Sequence, residues 1–97
     1  MFVGALGLDV MLGDVRSLKD KRSVIRPILA ALRQTYQVSV AEAGHQDLHR
    51  RALLGVAVVS ADAGHCGQVL DDCERMVAAR PEVEVLSARR RLYGDED

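Results

Sequence analysis

The stretch FVGALGLDVML, residues 2–12, alternates with a period of two. Phe2, Leu6, Leu8, Val10 and Leu12 share one face, while Val3, Ala5, Gly7, Asp9 and Met11 share the other. Successive side chains of a strand point to opposite sides, so the pattern predicts a strand with its large residues turned to a core. The second face is small and apolar except for one carboxylate. Gly4, Gly7 and Asp9 interrupt the run, which is too short to span a bilayer, and no basic segment precedes it. Neither a membrane span nor a signal peptide is expected, and the expected compartment is the cytoplasm.

Working outward, SLKDKRSVIRPILAALRQTY (17–36) has helical spacing, with Leu18, Ile25, Ile28, Leu29, Leu32 and Tyr36 on one stripe. Ser17 and Asp20 have the form of a capping box, with Asp a weaker partner there than Glu. Pro27 removes one helical hydrogen bond and crowds the preceding turn, at about 3 kcal/mol in a helix interior. The helix is therefore expected either to kink there or to start effectively near Ser23. VSVAEAG (38–44) reads as a second strand, HQDLHRR (45–51) as a connection, and ALLGVAVVSA (52–61) as a central strand, apolar on both sides. A second helix is predicted over roughly 63–80, capped by Ser60 or Asp62 and stopped before Pro81. Cys66, Val69, Leu70, Cys73 and Val77 form its apolar stripe. EVEVLSARRRLY (82–93) is the last strand, and residues 93–97 are expected to be a flexible acidic tail.

The order βαββαβ predicts an α+β fold in which two helices cover one face of a four-stranded antiparallel sheet. The other sheet face has no helix left to cover it. Ninety-seven residues suit a single domain, 1–97, and 48% apolar with 28% charged residues is an ordinary globular composition. Cys66 and Cys73, seven residues apart on one helix, would have Cα atoms about 10 Å apart. A disulfide tolerates no more than about 7 Å, so free thiols are expected.

Although the formal net charge is −1, positive charge concentrates at the start of the first helix. Arg16, Lys19, Lys21, Arg22 and Arg26 stand there against Asp20 alone. Like charges at a helix N-terminus oppose the dipole by a few tenths of a kcal/mol each, whereas a phosphate would suit the site. The alternative is a solubilising surface, some of it paired with neighbouring carboxylates.

HQDLHRR offers His45, Asp47 and His49 as a candidate ligand or turn site, with Arg50 and Arg51 beside them. In an extended segment His45 and His49 would lie about 13 Å apart, too far to share an ion. No third ligand is evident, and no metal is expected. The plainer alternative is a hairpin connection in which Asp47 holds the turn and the arginines form ion pairs. Cys66 beside His65 raises the idea of a nucleophile, but its place on the apolar stripe argues for a small buried hydrophobe.

At SLKDKR and VSVAEAGHQDLHRRALLGVAVVS the chain resembles the YlxP-like family of small bacterial proteins, catalogued as a domain of unknown function. Ser17-Leu18-Lys19, Lys21-Arg22, Ser39-Val40-Ala41-Glu42, Asp47, Arg51 and Gly55 carry the resemblance. It implies a ferredoxin-like fold and a genomic neighbourhood often shared with translation-initiation and ribosome-maturation factors. Where members of that family frequently carry tryptophan, this chain has His49.

No phosphate loop, dinucleotide fingerprint, paired zinc ligands or hydrolase elbow is present, so no enzyme, catalytic residue or cofactor is expected. The leading expectation is an accessory protein of rRNA or a ribosomal subunit. It would neutralise phosphates through Arg16, Lys19, Lys21, Arg22 and Arg26, helped by Arg50, Arg51 and the run Arg89 to Arg91. Base stacking on the sheet is nearly excluded, since one Phe and two Tyr are the only aromatics. The rival expectation is an oligomeric or small-ligand module using the open sheet face. Val3, Ala5, Leu53, Ala57 and Val59 would form its homo-oligomer interface.

Overall fold

The computed structural model describes residues 1–95. The elements are β1 (Phe2–Leu12), α1 (Leu18–Thr35), β2 (Ser39–Gly44), β3 (Arg51–Ser60), α2 (Ala63–Ala78) and β4 (Val83–Tyr93). The strands form one antiparallel sheet in the order β2-β3-β1-β4. This is the ferredoxin-like α+β arrangement, with each helix crossing between strands that are not neighbours.

The core lies between the sheet and its two helices. β1 contributes Leu6, Leu8, Val10 and Leu12, and β3 contributes Ala52, Leu54, Val56 and Val58. Facing them are Ile25, Ile28, Leu29 and Leu32 of α1 and Cys66, Leu70, Cys73 and Val77 of α2. Each fully buried leucine contributes about 2 kcal/mol relative to exposure. Gly4 sits on this inner face for a steric reason. A Cβ there would lie 3.0 Å from Leu70 Cδ1 and 3.3 Å from Cys66 Cβ, so a larger residue would require α2 to give way by a few tenths of an ångström.

α1 begins at Leu18, not near Ser23, and continues through Pro27 as one helix. Pro27 is exposed, so its ring is turned away from the core. The capping box is half made. Ser17 Oγ accepts from the Asp20 amide at 3.0 Å, but the Asp20 carboxylate takes the Arg16 amide at 3.3 Å instead of returning to Ser17. At the other end Arg33 Nη2 donates to the Val40 carbonyl at 2.9 Å and ties α1 to the edge strand β2. Asp62 is the cap of α2, accepting from Gly64 at 2.8 Å, while Ser60 Oγ accepts from the Asp62 amide.

β4 departs from the expected strand in two ways. The register shifts between Asp9 and Val10, whose partners are Ser87 and Val85, so Leu86 is an extra residue. Such a bulge exchanges the faces of everything beyond it. The expected tail from 93 onward is also corrected at its start: Tyr93 belongs to β4 and pairs with Val3. The Asp95 carboxylate meets the N-terminal ammonium at 2.6 Å. The rest of that tail, residues 96–97, lies outside the described residues. Among the described residues no helix is long and apolar enough to cross a membrane.

Candidate nucleic-acid interface

Helical spacing puts Lys19, Arg22 and Arg26 on one exposed stripe of α1, spanning about 10 Å. With Ser23 and Pro27 they line an open groove of about 420 Å³. None of the three side chains makes an ion pair or hydrogen bond among the described residues. Arg16, just before the helix, is also exposed, with its Nε 3.5 Å from Asp14.

Lys21 must be removed from this cluster. Its side chain is 2% exposed, and its ammonium points inward to three oxygens: Glu42 Oε2 at 2.6 Å, the His45 carbonyl at 2.7 Å and the Leu48 carbonyl at 2.8 Å. Lys21 lies four residues before Ile25 and seven before Ile28, and so continues the buried stripe of the helix. A cation there must replace its hydration shell with protein oxygens, and this cage does so. For Glu42 Oε2 the ammonium is the close partner, through charge rather than an aligned hydrogen bond. Lys21 therefore fixes the connection between β2 and β3 and is not available to phosphate.

That connection differs from the expected one in which Asp47 holds the turn. Its internal bond runs from the Leu48 amide to the His45 carbonyl at 3.0 Å, and His45 is left-handed, with φ 57°. Asp47 and His49 are exposed, and neither side chain makes a hydrogen bond or ion pair among the described residues. Nor does any set of three or more His, Cys, Asp or Glu converge as a metal cage among them. Arg50 turns back to the carbonyls of Leu12 and Gly13, at 3.3 and 2.9 Å, so it too is partly engaged.

Arg51 is on the open sheet face, away from the α1 stripe. Its Nη2 reaches Asp9 Oδ1 and Oδ2 at 2.8 and 2.7 Å, and its Nε reaches Oδ1 at 3.1 Å. His45 Nε2 is 3.5 Å from Asp9 Oδ2. The hydrogen-bonded Arg51 guanidinium holds the Asp9 carboxyl below its ordinary value, against the opposing effect of burial. Asp9, read from the sequence as a lone carboxylate, is thus the centre of a small charged cluster.

The proposed interface residues share that open face. Val3 lies opposite Val59, Ala5 opposite Ala57 and Asp9 opposite Leu53. Val59 is 62% exposed, and a shallow recess of about 390 Å³ runs over Ala5, Gly7, Ala41, Gly55 and Ala57. The bulge at Leu86 sorts the arginines of β4. Arg89 and Arg91, opposite Gly7 and Ala5, are on the open face. Arg90 lies on the helix side, bonded to Asp71 at 2.7 Å and Glu74 at 3.3 Å. It therefore drops out of the candidate phosphate contacts. The thiols are both buried; Cys66 Sγ is 3.9 Å from the Phe2 carbonyl, and burial, with Asp72 adding to it, pushes the Cys73 thiol up to about 11. Neither is placed as a nucleophile.

Residues 3–90 match the family model described as "Protein of unknown function (DUF503)". The chain belongs to the DUF503 family. It is also 30% identical over 91 residues to the "Uncharacterized protein YlxP" of Bacillus subtilis (strain 168), covering 94% of this chain and 99% of that relative. This agrees with the resemblance carried by SLKDKR and VSVAEAG. The segment matched to DUF503 includes the α1 stripe, the Lys21 cage and the Asp9 cluster. Family membership alone assigns a role to none of them, because function follows from a site and not from a fold.

Proposed function

We propose that this protein is a non-enzymatic, cytoplasmic RNA-binding accessory protein that grips phosphate backbone through the outer stripe of α1. The observation that carries this reading is the exposed set Lys19, Arg22 and Arg26, without an acidic partner among the described residues. Arg16 extends the set toward the helix start. Phosphate contacts of this kind supply affinity without reading base sequence. The ribosome is the proposed partner because the family resemblance carries that association.

The test is co-sedimentation with ribosomal subunits across a salt series, beside a Lys19→Glu/Arg22→Glu variant. Three single-strand phosphate contacts give a slope of log K against log salt of about −2. The variant should stay folded and lose at least about tenfold in affinity. Binding that ignores salt, or that the variant retains, refutes the reading.

A second reading concerns the open sheet face, which no helix covers among the described residues. Val59, Met11 and Tyr93 stand exposed there around a floor of Gly and Ala. A second copy of the chain, bringing the same flat face, would cover it sheet on sheet. Ala57→Asp should then convert dimers to monomers by light scattering. A parent protein that is already monomeric removes this reading.

A further inference from the structure

The open face also carries a recess of about 280 Å³, lined by Gly7, Asp9, His45, Leu53, Ser87 and Arg89. It lies across the sheet from α1, so it is separate from the phosphate-binding stripe and rests on neither reading above. Its charges do not cancel. Both oxygens of Asp9 are taken by Arg51, and His45 Nε2 approaches Oδ2. Arg89 makes no ion pair or hydrogen bond among the described residues, and one positive charge is left over at the recess.

Two features of the backbone keep this recess open and shaped. The first is Gly7, opposite Arg89 on β4 and Gly55 on β3. Its φ is not positive, and a Cβ there would meet only Leu53 Cδ1, at an ordinary 3.7 Å. Glycine weakens the middle of a strand, and here neither conformation nor internal packing asks for it. What it does is leave the floor of the recess bare. The second is His45, whose left-handed backbone is uncommon for a residue with a Cβ. Lys21 holds its carbonyl from inside at 2.7 Å, while its ring forms a wall of the recess against Asp9.

We infer that this recess binds a small oxyanion, a phosphate monoester or a carboxylate. The anion lies over Gly7 and is gripped by the paired N–H donors of Arg89 and the hydroxyl of Ser87. The guanidinium fork suits either group, because both present two oxygens at matching separation. The volume falls just below the range of about 300–1,000 Å³ for sites that enclose drug-sized ligands, which selects a small anion. The Asp9–Arg51 pair positions His45 and keeps the carboxylate from competing for Arg89.

The experiment uses the ¹⁵N-labelled full chain, titrated separately with inorganic phosphate and with succinate. Saturable shifts at Ser87, Arg89 and His45 are expected, and the anion that saturates at lower concentration identifies the preferred group. Arg89→Gln should weaken binding at least about tenfold. Gly7→Ala should fold as well as the parent and bind severalfold more weakly. The Lys19→Glu/Arg22→Glu variant, which removes the α1 stripe, should leave these shifts unchanged. Shifts that do not saturate, that survive Arg89→Gln, or that vanish with the α1 variant overturn the inference.

Discussion

The outer and inner sides of the first two turns of α1 make different uses of the same chemistry. Lys19 and Lys21 are two residues apart, which on a helix is about 200° of rotation. Lys19 stands in solvent with Arg22 and Arg26, its charge open to a partner. Lys21 is enclosed by Glu42 and two carbonyls, and its charge is consumed in holding the connection between β2 and β3. A basic stretch therefore cannot be counted as one patch. The helix divides it into a part that faces partners and a part that builds the fold.

The sharpest way to break this contrast is to remove the buried charge. Lys21→Met should cost about 3 kcal/mol, since it leaves Glu42 and two carbonyls without their cation. Urea unfolding reads this directly, as a lowered midpoint with an unchanged slope. A cost near zero would mean that the cage contributes nothing net.

A half-open ion pair provides the intermediate case. Asp9, 23% exposed, is held by Arg51, and Asp9→Asn should cost up to about 1 kcal/mol at neutral pH. Because the folded carboxyl sits below its ordinary value of 3.8, its contribution is complete above that pH and is lost as pH falls through the folded value. Parent and Asp9→Asn stabilities should therefore converge in acid. A gap that persists at low pH would show that the loss is not the ion pair.

The smallest effect is expected outside. Lys19→Met should change stability by less than about 0.5 kcal/mol. If it matched Lys21→Met, the division of the helix into two sides would be wrong.

These elements also show what a sequence displays and what it hides. The alternation of residues 2–12 and the stripe Ile25, Ile28, Leu29, Leu32 were legible because periodicity follows from backbone geometry alone. The place of Lys21 was legible by the same spacing, but its charge made it look like a surface residue. Asp9 with Arg51 was not legible, because the pair depends on the register of β1 on β3, which puts Asp9 opposite Leu53 and diagonal to Arg51. The β4 arginines were hidden by the extra residue Leu86. Without it, strict alternation from Val83 and Val85 would have turned Arg89 and Arg91 to the helices and Arg90 outward.

The enclosure of Lys21 has a consequence for amine chemistry. Lys19 and Lys21 are the only lysines in the chain, every other basic side chain apart from histidine being arginine. A reagent such as formaldehyde with borohydride would methylate Lys19 and the terminal amine promptly. Lys21 would react only in the moments when its three oxygens let go. Its labelling rate is therefore a clock for the opening of the β2–β3 connection, with Lys19, two residues away, as the internal standard for the reagent.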